Sequence, residues 1–115
     1  GCIACHIGPG LGGNMMQRFG LVHGPYWEFT GSDLKDEGKF VVTGNEADKN
    51  VFKSPSLRNI EKTAPYFHDG SAESLEEAVR IMAYTQLGKE LSKEEIDKMI
   101  AFFKSLTGKI PDHAL

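Results

Sequence analysis

Several things are scarce in this 115-residue chain, and each scarcity narrows what it can do. No apolar run approaches the ~20 residues that a membrane-spanning helix needs. There is no excess of basic residues: 13 Lys and Arg stand against 16 Asp and Glu, a formal charge of -3, which argues against nucleic acid as a partner. Only two cysteines occur, Cys2 and Cys5. A disulfide between them would close a very short loop and constrain almost nothing, because such stabilisation grows with loop length. Internal repeats and low-complexity tracts are also missing. The length fits one small domain. The 13 glycines imply a loop-rich fold, and a buried prosthetic group would help supply the core that so small a chain lacks.

What is present begins at once. Cys2-Ile3-Ala4-Cys5-His6 reads CxxCH. The spacing suits haem c: two thiols add to the two haem vinyl groups as thioethers, and the next histidine falls under the iron as an axial ligand. A thioredoxin-like motif would need a preceding strand, for which there is no room before Cys2. A zinc site would need a fourth ligand, and His23, His68 and His113 form no ligand-like pair.

Residues 7–50 read as mostly irregular, with one short hairpin expected around Phe40-Val41-Val42. Two helices are well signalled. The first starts at Ser74 with Glu77 completing a capping box, carries Leu75, Ala78, Val79 and Met82 on one face, and ends before Gly88. The second starts at Ser92 with Glu95, carries Ile96, Met99, Ile100, Phe103 and Leu106, and has Gly108 as a natural residue just past its end. A short helix is expected after Pro55, through Leu57 and Ile60.

The second axial position of the iron decides its chemistry. A thioether favours electron transfer, and an open site favours binding of peroxide or oxygen. The candidates are Met15, Met16, Met82, Met99, His23, His68 and His113. Met99 lies in the middle of an apolar stripe and suits core packing. Met15 and Met16 would require the chain to round the haem edge within a tight span. Met82 lies close to the loop leading to the final helix, where small c-type cytochromes typically place their methionine ligand. Its periodicity suits core packing as well, and pattern alone leaves both roles open.

Longer stretches carry a resemblance. Thr43-Gly44-Asn45-Glu46-Ala47-Asp48, Phe52-Lys53-Ser54-Pro55-Ser56-Leu57-Arg58-Asn59-Ile60 and Thr63-Ala64-Pro65-Tyr66-Phe67-His68-Asp69-Gly70-Ser71 resemble bacterial di-haem cytochrome c peroxidases. Leu75-Glu76-Glu77-Ala78-Val79, Gln86-Leu87-Gly88 and Ala101-Phe102-Phe103-Lys104-Ser105-Leu106-Thr107-Gly108 do so too. The resemblance runs from Cys2 to about Gly108 and covers only the C-terminal, high-potential haem domain of that family. It implies an all-α, class I-like cytochrome c domain with long loops around one haem c, His6 and Met82 as axial ligands, and no catalytic residue in this domain.

The resemblance further implies calcium between two domains, with the carbonyls of Thr63 and Pro65 among its ligands. Lys53, Arg58 and His68 become candidates for contacts with the haem edge or propionates, beside plain turn-stabilising or solvated roles. Pro9 resembles the proline whose carbonyl orients the proximal histidine in many c-type cytochromes, although it follows His6 closely. The implied partners are an upstream peroxidatic haem domain and a small periplasmic donor, a cytochrome c or a cupredoxin, with a homodimer for the full-length protein. The chain is then a fragment lacking an upstream haem domain, and the alternative is a stand-alone mono-haem carrier. A tryptophan-modifying branch of the family uses tyrosine as the distal ligand, and Met at position 82 argues against it. Small cytochromes also pack a helix preceding CxxCH on the last helix. Without it, the Ile96-Ile100-Phe103 face is expected to be partly uncovered.

Overall fold

The computed structural model describes all 115 residues. Its core is thin: 12 of 115 residues are buried, and of these only Phe19, Tyr26, Tyr66, Val79, Ile81 and Phe103 are large and apolar. That is little for a chain of this size, and the scaffold is largely loop stitched by backbone hydrogen bonds.

Four helices form in chain order: α1, Trp27–Thr30; α2, Phe40–Thr43; α3, Leu75–Leu87; and α4, Lys93–Ser105. The first two are single turns. The long pair begin where the sequence signals them. Ser74 Oγ accepts from the Glu77 N–H at 3.1 Å, and Ser92 Oγ accepts from the Glu95 N–H at 3.2 Å. At Ser92 the capping box is complete, since the Glu95 carboxylate accepts from the Ser92 N–H at 2.9 Å. At Ser74 it is half made: the Glu77 carboxylate accepts from the N–H of Glu73 instead. Gly88 closes α3 in the left-handed conformation. α4 stops earlier than expected, at Ser105 with Leu106 as its cap; Gly108 instead donates its N–H to Asn59 Oδ1 at 2.8 Å.

The fold is not wholly helical. Met16–Arg18 (β1) pairs antiparallel with Val51–Lys53 (β2), with Gln17 opposite Phe52. The expected hairpin at Phe40–Val42 is absent. Gly38 and Gly44, both at positive φ, bracket a single helical turn there, and β2 finds its partner far upstream. The expected helix after Pro55 shrinks to a 3-10 turn at Ile60–Lys62.

The ribbon positions the site. At one end, β1 runs into Phe19, which stacks on Tyr26 with ring centroids 4.8 Å apart. Phe19, Tyr26 and Ile81 form a cluster joined by Trp27, Phe29, Phe52, Phe67 and Met82. Gln86 fastens this region to α3: its carbonyl oxygen accepts from the N–H groups of Gly20 (2.7 Å) and Leu21 (3.3 Å), and its amide donates to the Arg18 carbonyl (2.8 Å). At the other end, β2 leads into Pro55 and the CxxCH turn.

α3 and α4 pack together. The α4 face is partly uncovered, as expected. Phe103 is buried and Ile96 and Ile100 are only half-buried, while Phe102 on the same helix is exposed at 53%.

Candidate haem site

Cys2–Ala4 form a 3-10 turn, closed by the Cys5 and His6 N–H groups donating to the Cys2 carbonyl at 3.2 and 2.9 Å. Cys2 is exposed, Cys5 is half-buried, and both thiols are free. The His6 ring is fixed from below: its Nδ1 lies 2.9 Å from the Pro55 carbonyl oxygen. A carbonyl only accepts, so Nδ1 carries the proton and Nε2 keeps its lone pair free for a metal. An oriented histidine with a hydrogen-bonded far nitrogen is the usual arrangement of a ligating imidazole.

Pro9 does not play this part. The proline that orients His6 is Pro55, brought up from 49 positions away in sequence. The signal was available: the spacing proline-any-leucine occurs twice, in Pro9-Gly10-Leu11 and in Pro55-Ser56-Leu57. The two segments run side by side. Gly13 N–H donates to Ser54 O (2.7 Å), Leu57 N–H to Leu11 O (3.2 Å) and Ser56 Oγ to Gly10 O (2.5 Å).

Cys2, His6, Leu11 and Leu57 share a cavity of about 330 Å3 with Ile3, Lys98, Met99, Phe102 and Phe103. A thiol, an imidazole with one free nitrogen, and apolar walls therefore meet in one space of the size that ligand sites occupy. That donor set fits a covalently attached haem. The thin core fits it too, because a flat apolar group would cover the leucine, methionine and phenylalanine faces that the chain leaves open.

Met82 is not in that lining. It lies on α3, half-buried against the aromatic cluster. Met99 does line the cavity beside His6 instead of filling a closed core. Met15 is half-buried and Met16 is exposed, on and beside β1.

His68 sits in the aromatic cluster with Met82. Its ring stacks on Phe52 (centroids 4.1 Å), and its Nε2 lies 3.2 Å from the Tyr26 hydroxyl. That hydroxyl donates to the Asp36 carbonyl at 2.9 Å, so His68 donates from Nε2 to the phenol oxygen. Burial, and after it the carboxylates of Asp69 and Asp36, push the Tyr26 phenol up to about 12. At Asp69, burial alone would raise the carboxyl. Hydrogen bonds from Ser32 and Ser71 and the neighbouring His68 outweigh it and hold the group below its usual value. Tyr84 stacks on His23 with centroids 4.4 Å apart.

Lys53 on β2 and Arg58 beyond it are exposed, and Arg58 donates its backbone N–H to Ser56 Oγ at 3.2 Å. Thr63 and Pro65 are exposed, and neither carbonyl accepts a hydrogen bond from the chain. Two carbonyls fall short of the six to eight oxygens calcium takes, and no cluster of acidic, histidine or cysteine side chains adds to them.

No protein-family model matches the chain. Individual proteins do. It is 51% identical over 117 aligned positions to the cytochrome c551 peroxidase of Nitrosomonas europaea, covering 100% of this chain and 33% of that protein. It is 45% identical over 111 positions to the cytochrome c551 peroxidase of Pseudomonas aeruginosa, covering 96% and 32%. This chain is a homologue of the cytochrome c peroxidases. It spans about a third of the length of these relatives. Among solved structures, a MauG-like protein associated with microbial copper homeostasis superposes with a TM-score of 0.75 at 28% identity, covering 94% of this chain and 42% of that one. The same fold thus recurs within larger proteins. No helix is long and apolar enough to cross a membrane.

Proposed function

We propose that this chain is the electron-transfer haem domain of a di-haem cytochrome c peroxidase, working in the periplasm. Cys2 and Cys5 are its haem c attachment points, and His6 and Met82 its axial iron ligands. The observation that carries the proposal is the His6–Pro55 contact at 2.9 Å, inside a cavity that also holds the Cys2 thiol. It gives the CxxCH motif an imidazole already oriented as a metal ligand.

When bound, the haem supplies a one-electron couple. The chain's own residues do the rest. The two thiols anchor the group, and the Pro55 carbonyl sets the His6 tautomer. Leu11, Leu57, Met99 and Phe103 keep water from the ring face, while the aromatic cluster holds Met82. Filling both axial positions leaves no place for peroxide, so this domain relays electrons. They come from a small donor, a cytochrome c or a cupredoxin, and go to a peroxidatic haem in an upstream domain, where peroxide becomes water. Alignment to a third of each relative supports a domain over a stand-alone carrier. Calcium, if held by Thr63 and Pro65, requires the remaining ligands from that other domain, and the full-length protein is a homodimer. Met at position 82, where the tryptophan-modifying branch has tyrosine, disfavours that reading.

The test is peroxide turnover by the haem-loaded 115-residue chain beside the full-length enzyme. The proposal expects rapid reduction by a donor and negligible turnover from the chain alone. Turnover matching that of the full-length enzyme would refute the relay role.

A further inference from the structure

We infer that Gly12 is a positioning residue for His6: its missing side chain is what lets the Pro55 carbonyl reach Nδ1. Gly12 is buried, at φ +135°. A Cβ there would lie 2.0 Å from the Pro55 oxygen, 2.6 Å from the Pro55 carbonyl carbon and 3.1 Å from His6 Nδ1. No heavy atoms approach so closely without bonding, so one side must give way.

The neighbouring backbone cannot retreat cheaply. Gly12 N–H donates to Ile7 O at 3.0 Å, Gly13 N–H to Ser54 O at 2.7 Å and Leu57 N–H to Leu11 O at 3.2 Å. The first holds Gly12 to its own turn, and the other two clamp the segment bearing Gly12 to the segment bearing Pro55 on both sides of the contact. A methyl group at position 12 therefore moves the carbonyl off the imidazole or opens the clamp. Either way the His6 Nδ1–H loses its acceptor.

The consequence concerns ligand strength. A hydrogen bond accepted from the far N–H of a ligating imidazole raises its basicity and favours the more positive metal. Removing it destabilises the ferric state relative to the ferrous state and raises the reduction potential. This step rests on the reading of His6 as an axial ligand.

Gly13 supplies the control. It too has positive φ, +88°, but a Cβ there meets nothing within 4 Å. Both alanine variants strain the backbone, and only Gly12→Ala strikes Pro55 and His6. The experiment measures haem content by the pyridine haemochrome, the visible spectrum and the midpoint potential in haem-loaded wild type, Gly12→Ala and Gly13→Ala. The expected result is a higher potential in Gly12→Ala alone, by on the order of tenfold in relative ferric binding, about 59 mV for a one-electron couple.

A wild type without covalent haem would overturn the haem reading and this inference together. Haem present in all three, with Gly12→Ala unchanged in potential and spectrum, would overturn the inference and leave the haem reading standing. If Gly12→Ala yields no loaded protein, hydrogen exchange at His6 Nδ1 in reduced wild type decides. Slow exchange supports the shielded contact with Pro55, and exchange as fast as in free imidazole overturns it.

Discussion

Around His6 the chain works through its backbone. The ring is set by one carbonyl, the carbonyl is set by cross-strand bonds between residues 10–15 and 54–57, and few large side chains are buried nearby. Around Met82 it works through rings. Phe19, Tyr26, Phe52 and Phe67 pack face and edge against one another and against Ile81 and Met82 of α3, and His68 stacks on Phe52. The difference suits what each residue would do in the proposed ligand pair. An imidazole ligand needs a tautomer and a direction, which one directed hydrogen bond supplies. A thioether has no proton to place; it needs a crowded wall, which adaptable methionine–aromatic contacts supply.

Replacing Phe19 by alanine breaks the comparison most. This ring is buried and stacked on Tyr26, so its loss should cost about 3–5 kcal/mol of unfolding free energy. The damage should stay on the Met82 side, leaving the His6 Nδ1–H protected from exchange. Chemical denaturation and hydrogen exchange of the haem-loaded protein would check both statements.

Tyr26→Phe should cost less, about 1 kcal/mol, since it removes the bonds to Asp36 and His68 but keeps the ring. It also carries a pH signature. The phenol lies near 10.0 when free and at about 12 in the fold, so the folded state holds its proton more tightly. Tyr26 therefore contributes its full stability below about pH 10 and loses it as pH rises towards about 12. Wild type should lose stability across that window, and the phenylalanine variant should lack this component in denaturation measured from pH 9 upwards.

Much of this division was legible in the sequence, and the illegible part has a common cause. α3 and α4 announced themselves through Ser74, Ser92 and Gly88, because capping and helical periodicity are local chemistry. CxxCH is local too. The ribbon between Met16–Arg18 and Val51–Lys53 was not legible: three-residue strands have too little alternation to register, and pairing across so long a stretch of chain leaves no local mark. That ribbon is what delivers Pro55 to His6, whereas the proline next door in sequence is Pro9. The clamp of Gln86 on residues 18–21 spans more than 60 positions and leaves no local mark either. Pro9→Ala sharpens the same point. It should change stability by no more than about 0.5 kcal/mol and leave the reduction potential unaltered, because Pro9 is exposed and the His6 contact belongs to Pro55.

The pairing of His6 with Met82 is tested most directly by the absorption spectrum of the oxidised, haem-loaded protein, comparing wild type with Met82→Ala and Met99→Ala. The account predicts a weak long-wavelength sulfur-to-iron band in wild type, retained in Met99→Ala and lost in Met82→Ala. Retention of that band in Met82→Ala, or its loss in Met99→Ala alone, would contradict it.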